Sequence, residues 1–219
     1  MRRLTVSGLA ACLVWGAALQ AQGFAFTFST ISAALADLVG GANVDVRPVK
    51  DATSAGRSTS GRLYLDTRRP TYELVVTTRL DSPVQQTFAF FSRAENLGLL
   101  TPASMGFSIA GGPPAIGEDV TIEYRLRVGG IPIAWRSRIV NWTPGERFVD
   151  FQEVGPYRSW WHEHSFRADG TSTVMEDRVR YAPPLGPLGR LANRLVIAPM
   201  LRRIFQYRAD VIRLRFGAA

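Results

Sequence analysis

The chain has 219 residues, room for one domain of ~150 residues with a substantial extra segment but hardly for two full domains. Apolar residues make up 46% and charged residues 20%, which excludes a disordered, collagen-like or disulfide-scaffold chain, and the single cysteine, Cys12, excludes an internal disulfide, a cysteine zinc site and paired redox thiols. The net charge of +8 rests almost wholly on arginine, is spread along the chain rather than blocked, and comes with no nucleic-acid motif, so no nucleic-acid partner is expected.

Met1-Arg2-Arg3 precedes an apolar stretch from Leu4 to Leu19, and Ala21-Gln22-Gly23 supplies small residues suited to a signal peptidase. Residues 1–25 read as an export signal or a membrane anchor, with a start further downstream as the competing reading. In the last case the protein is cytoplasmic; otherwise it is exported or anchored, with weak membrane association through this segment. Leu9-Ala10-Ala11-Cys12 has the letters of a lipoprotein box, but the longer apolar run follows the cysteine, which is the wrong order. Residues 26–70, rich in Gly, Ala, Ser and Thr toward their end, read as a linker of low order.

From Thr71 the pattern changes. Tyr72 to Thr78 is β-branched and aromatic, a strand, and Asp81-Ser82-Pro83 offers a capping residue and a first-turn proline before a helix over Val84 to Phe91. A short helix from Ala94 to Leu100 stops at Thr101-Pro102. Five or six strands follow, separated by Gly, Pro and Asp-Gly breaks, and consecutive strands without helices require an antiparallel sheet. Pro187 to Phe216 returns to helical spacing, with Leu188, Leu191, Leu195, Leu201, Ile204, Phe205, Val211 and Ile212 on one face and a kink expected at Pro199. The fold class is α+β: a helix-grip fold, with a curved antiparallel sheet wrapped around a long C-terminal helix and two short helices after the first strand.

Leu100-Thr101-Pro102, Gly130-Ile131-Pro132, Trp135-Arg136-Ser137, Phe148-Val149-Asp150, Gly155-Pro156-Tyr157, Trp161-His162-Glu163-His164 and Tyr207-Arg208 resemble the START-like, or SRPBCC, superfamily over roughly Thr71 to Phe216, which places the domain at residues 71–219. The resemblance is to a polyketide cyclase/dehydrase-like, ligand-binding bacterial branch. It implies an apolar small molecule held between sheet and helix, and in some members cyclisation, dehydration or hydrolysis of it. Fold transfers from such a likeness; ligand and chemistry do not.

Alternation assigns the strand faces. Tyr124, Trp135, Ser137, Trp160, His162, His164, Met175, Asp177 and Tyr181 are placed inward, with Asp150 and Gln152 preferred inward on the strand between. His162 and His164 are the only histidines and share one face. If Asp169-Gly170 centres the hairpin, His162 faces Asp177 and His164 faces Met175 or Thr173. Such groups must bond each other, water or a ligand, because a buried polar group left alone costs ~1–3 kcal/mol.

Three readings compete for His162, His164, Asp177 and Asp150: a satisfied polar network, a His-Asp acid/base pair with all three of His162, His164 and Asp177 catalytic, or a metal site, which the lack of a third histidine disfavours. The expectation is no metal and no cofactor. The partner is an apolar or amphipathic molecule of lipid, polyketide or aromatic type, lined by Tyr124, Trp135, Ser137, Asp150, Gln152, Trp160, Met175, Tyr181, Leu201 and Phe205. A cofactor-independent cyclase, dehydrase or hydrolase is the alternative.

Overall fold

The computed structural model describes residues 44–49 and 71–218 in full and the backbone of 54–57 and 63–66; the apolar segment expected at residues 1–25 lies outside them. No helix among the described residues is long and apolar enough to cross a membrane.

An eight-stranded antiparallel sheet forms the body. Its strands are β1 (Val44–Pro48), β4 (Tyr72–Leu80), β5 (Ser108–Ile109), β6 (Thr121–Val128), β7 (Ile131–Thr143), β8 (Arg147–Val154), β9 (Ser159–Asp169) and β10 (Ser172–Ala182). They lie in the order β1-β4-β10-β9-β8-β7-β6-β5, and β2 (Ser54–Arg57) and β3 (Leu63–Asp66) make a separate two-stranded pair. The run from β6 to β10 is a meander, as its turn signals require. β1 falls within the stretch expected to be linker: Val44 and Val46 alternate toward the core and pair with Val76 and Leu74, a period of two apolar residues too short to stand out in the sequence.

The long β7 carries two register irregularities against β8, between Arg136 and Ser137 and between Val140 and Thr143. Asn141 sits at the second with φ 56°, a left-handed conformation that asparagine tolerates better than most residues. Such bulges bend a strand and increase its twist, and here they curl the sheet. Outside the curl, Val140, Val149 and Trp161 form a small buried cluster.

Helix α1 (Val84–Phe91) buries Thr87, Phe88, Phe90 and Phe91. Pro83 takes its N-terminal position without a side-chain cap, so the capping expected of Asp81-Ser82 is not formed; the Ser82 carbonyl instead accepts from Thr173 Oγ1 at 2.6 Å. The second helix expected over Ala94 to Leu100 is a 3₁₀ turn, Ala94–Gly98, and another 3₁₀ turn, Ala103–Met105, follows the expected stop at Thr101-Pro102.

The C-terminal helix runs through α2 (Gly186–Ala192), a π-turn (Asn193–Ile197) and α3 (Ala198–Phe216). The expected kink at Pro199 is realised as this π-turn. Proline has no N–H for the Leu195 carbonyl and its ring crowds that group, and the turn before it widens so that the Ala198 N–H bonds to the Asn193 carbonyl. α3 buries Leu201, Phe205, Arg208, Ala209 and Ile212. The expected single face is corrected at its N-terminal end: Leu188, Leu191 and Leu195 are more than half exposed while Gly189, Asn193 and Ile197 are buried, because the extra residue of the π-turn shifts the helical phase and leaves the N-terminal leucines on the side away from the sheet.

The interior has two apolar zones. One joins Trp135, Tyr157, Trp160, Tyr181, Leu201 and Phe205. The other joins Phe88, Phe91, Leu100, Ile139, Phe148 and Met175.

Candidate functional site

At the junction of the two zones lies a buried polar cluster built on β9, β10 and α3. His162, His164 and Asp177 are each 5% exposed or less, and Arg208 is 8% exposed. The hairpin register differs by two residues from the expected one: Asp177 pairs with His164, Val179 with His162 and Met175 with Phe166. The loop is Gly170-Thr171, with Gly170 at φ 63° in the first central position, where the turns favoured by two-residue hairpins admit glycine. The turn centre therefore lies one residue beyond Asp169-Gly170, and a shift of one at the centre moves the pairing by two. Faces are preserved, since two is the strand period.

Both imidazoles reach the same oxygen. Asp177 Oδ1 is 2.7 Å from His164 Nδ1 and 2.9 Å from His162 Nε2, and Arg208 Nε stands 3.3 Å from Oδ2, an ion pair by distance whose N–H is not aimed as a hydrogen bond. The contact between Arg208 Nη2 and His164 Nδ1, at 3.4 Å, cannot be a hydrogen bond if that nitrogen gives its proton to Asp177; the 2.7 Å contact to the carboxylate is the stronger claim on it. Nδ1 of His164 is then the N–H and Nε2 the lone pair. The imidazole rings themselves lie 3.9 Å apart. His162 touches the aromatic zone through Phe205, and His164 touches the other through Phe148 at 4.5 Å between ring centres.

Charge follows from burial and partners. Burial pushes the His164 pKa down, the neighbouring His162 adds to this, and the result is about 3, so His164 is neutral at physiological pH. Burial would raise Asp177, but Arg208 and the two histidines overcome that and hold it well below the usual carboxylate range. Asp177 and Arg208 thus form a buried ion pair with the imidazoles around it.

Asp150, opposite His162 in the β8–β9 register, behaves differently. Burial raises its pKa, with partial opposition from His162, a Ser137 hydrogen bond and Arg208. Its Oδ1 is buried with no hydrogen-bond partner. Ser137 in turn accepts from Trp135 Nε1 at 3.0 Å.

A cavity opens beside these groups, of about 20 Å³, enough for roughly one water. Asp150, His164 and Arg208 line it from the sheet and the C-terminal helix, Arg93 and Asn96 from the 3₁₀ segment, and its apolar walls include Phe91, Leu97, Leu100, Ile122, Ile139 and Phe148. Of the residues expected to bind ligand, Asp150 is the one on this wall. The others are packed elsewhere: Trp135, Trp160, Tyr181, Leu201 and Phe205 fill the aromatic zone, and Met175 belongs to the second. Tyr124 packs against both zones. Gln152 ties down its own loop by donating to the Tyr157 carbonyl at 2.9 Å, and the Tyr181 hydroxyl donates to Asn193 Oδ1 in the π-turn at 2.9 Å. With Tyr157 buried among Trp135, Trp160 and Tyr181, the Gly155-Pro156-Tyr157 segment is an anchored turn.

Arg208 is a site residue that strand alternation does not reach. A signal for it exists: it falls on the stripe Leu201, Phe205, Ala209 and Ile212, and a charge on a core-facing stripe needs a buried partner. Phe91, Leu97 and Leu100 also escape a reading of the sequence, because short helices after the first strand give no clue to which wall they form.

His162, His164 and Asp177 hold ligand atoms within 4.8 Å of one another, a spacing a metal ion could accept. Arg208 already places a cation on Asp177, and two imidazoles with one carboxylate fall short of the four ligands of a closed zinc site.

No curated protein matches the chain. Among solved structures, TTHA0849 of Thermus thermophilus is similar at a TM-score of 0.50 and 14% identity, covering 65% of this chain and 98% of that one. CV1439 of Chromobacterium violaceum is similar at 0.50 and 11%, covering 67% and 99%, and the Zhui aromatase/cyclase of Streptomyces sp. R1128 at 0.48 and 11%, covering 64% and 93%. Likenesses at such identities concern the fold alone. The profile of the family described as polyketide cyclase/dehydrase and lipid transport matches residues 71–216, the sheet from β4 onward with both helical segments, and the chain belongs to that family, within the START-like superfamily.

Proposed function

We propose that the domain binds an apolar or amphipathic small molecule between the sheet and the C-terminal helix, its apolar part against Phe91, Leu100, Ile139 and Phe148 and its polar end at Asp150, His164 and Arg208. The observation that carries this reading is the unpartnered Asp150 Oδ1 of a residue lining a cavity with mainly apolar walls and a few polar groups, the arrangement of a small-molecule site. Membership of a family described by cyclases, dehydrases and lipid transport supports it. At about 20 Å³ the space admits such a molecule only when the segment from Arg93 to Leu100 moves outward.

Binding is preferred to acid/base catalysis because of His164. A general base works best with a pKa near the working pH, and His164 at about 3 is a weak one. The catalytic alternative rests on its fixed tautomer, with the Nε2 lone pair free of Asp177.

Native mass spectrometry of the purified full chain, followed by solvent extraction, tests the reading. A stoichiometric apolar adduct is expected, reduced by Leu100→Trp, which fills the cavity, and weakened at its polar end by Asp150→Ala. An adduct unaffected by both substitutions, or none under any condition, would overturn it.

A further inference from the structure

The N-terminal half of the C-terminal helix has a surface that the interior site does not use. Leu188, Leu191 and Leu195 are 67%, 56% and 64% exposed, and their spacing puts them on one helical face. Leu185, just before the helix, is 38% exposed and holds φ 68°, a left-handed conformation uncommon for a bulky non-glycine residue. Strain of that kind persists only where surrounding structure enforces it.

The enforcement is visible. A Cβ on Gly189 would lie 1.9 Å from the Pro184 carbonyl oxygen, so only glycine lets the Pro183-Pro184-Leu185 turn press so closely on the first helical turn. Asn193, buried, accepts from Tyr181 on the sheet. The leucines therefore stand on an element held at both ends, which rules out a frayed terminus as the reason for their exposure.

Charge names the occupant. Arg190, Arg194, Arg202 and Arg203 are exposed around the stripe, and no acidic residue occurs between Asp177 and Asp210. A leucine face bordered by arginines matches the acyl chains and phosphates of an anionic bilayer surface, whereas an acidic protein partner would leave four leucines unmatched.

We infer that Leu185, Leu188, Leu191 and Leu195, with Arg190 and Arg194 beside them, form a docking face for anionic phospholipid membranes. The helix lies in the plane of the interface, with the leucines among the acyl chains and the guanidinium groups at the phosphates. This face is on the protein surface and is independent of what the cavity holds.

Co-sedimentation of the full chain with vesicles of phosphatidylglycerol in phosphatidylcholine, and with phosphatidylcholine alone, tests the proposal. Binding to the anionic vesicles is expected, weakening as salt is raised. The triple variant Leu188→Gln, Leu191→Gln, Leu195→Gln should bind about tenfold more weakly with an unchanged melting temperature, and Arg190→Gln with Arg194→Gln should remove the preference for anionic lipid. Equal binding of wild type and triple variant would assign any membrane affinity to another part of the chain, such as the apolar segment from Leu4 to Leu19, and overturn the proposal. A lowered melting temperature in the triple variant, or dissociation of an oligomer by it, would show that protein covers the leucines and would overturn it equally.

Discussion

Asp177→Asn is the substitution that most directly measures how the site is held together. Asparagine keeps the shape, and its Oδ1 can still accept from one imidazole, but the opposite position becomes an amide NH₂ facing Arg208 Nε across what was a 3.3 Å ion pair. Two donors then oppose each other, and the guanidinium, its side chain 10% exposed, loses the carboxylate it is paired with. Breaking a buried pair by removing one partner costs about 3–5 kcal/mol, much of the ~5–15 kcal/mol of a typical domain. Urea unfolding followed by tryptophan fluorescence reads it, since Trp135 and Trp160 sit in the adjoining zone. Arg208→Met should be similarly costly alone. In the double variant neither charge remains, so the losses should be far less than additive, with a coupling of ~2–3 kcal/mol. The sign with pH follows: Asp177 is held below its ordinary value, so its contribution is full above pH ~4 and declines below that. Asp177→Asn should flatten that acid limb. A loss under ~1 kcal/mol, or additive single losses, would refute the buried ion pair.

Three further outcomes are expected. Glu73 is buried on the outer face among Arg47, Arg178 and Arg180; burial raises its pKa, but the hydrogen bonds from the three arginines bring it to about 2. Its stabilisation is present above pH ~4.5 and lost toward pH ~2, and Glu73→Gln should remove ~1–2 kcal/mol at pH 7, discounted for the partly solvated arginines; chemical denaturation at pH 7 and pH 3 compares the two. Phe205→Ala, at a side chain 4% exposed, should cost ~3–5 kcal/mol, and a negligible loss would mean that α3 does not close the aromatic zone. Gly189→Ala must displace the Pro184 carbonyl, 1.9 Å from the new Cβ, and should lower thermal stability by ~1–3 kcal/mol; an unchanged melting temperature would rule out the close approach at that turn.

Alternation carries a great deal of this fold, and the reason is physical. A strand with one buried face fixes each side chain's direction, so the inward placement of His162, His164 and Asp177 follows from residues two apart, without knowledge of the partner strand. Pairing is another matter. It depends on the turn centre, and Asp169-Gly170-Thr171 admits two centres that differ by one residue; the glycine's place in the loop decides, which composition alone does not reveal. The helix shows the converse limit. Periodicity identifies an apolar stripe from Leu188 to Ile212 but carries no information on the π-turn that shifts the helical phase partway along it, so Leu188 and Leu201 look alike in sequence and differ from 67% to 3% in exposure. Arg208 is hidden for the same reason: its partner lies on β10, 31 positions away in sequence, and only the packing of helix on sheet joins them.

The position of the polar cluster has a consequence for how the interior can admit a ligand. Tyr181 to Asn193 and Asp177 to Arg208 are two polar stitches from β10 to the C-terminal helix, one on each side of Pro199. Between them the aromatic zone is filled by Trp135, Tyr157, Trp160 and Phe205, and parting helix from sheet there would break both stitches and uncover that packing. Beyond Arg208 the roof changes to α1 and the 3₁₀ turns, short elements with hydrogen bonds inside the segment, as from Asn96 Nδ2 to the Phe90 carbonyl and from Thr101 Oγ1 to the Leu97 carbonyl, and with ties outward: the Arg93–Ala115 bridge, the Ile116 N–H to the Ser92 carbonyl and the Tyr207 hydroxyl to the Leu99 carbonyl, the last two at 3.4 Å. Segments with few long-range ties are the ones that open at low cost. For the ligand proposed above, entry over Arg93 to Leu100 would leave the helix in place at the cost of the Tyr207–Leu99 contact, would bring it to the cavity lined by Asp150, His164 and Arg208, and would make Leu97 and Leu100 the side chains that must yield.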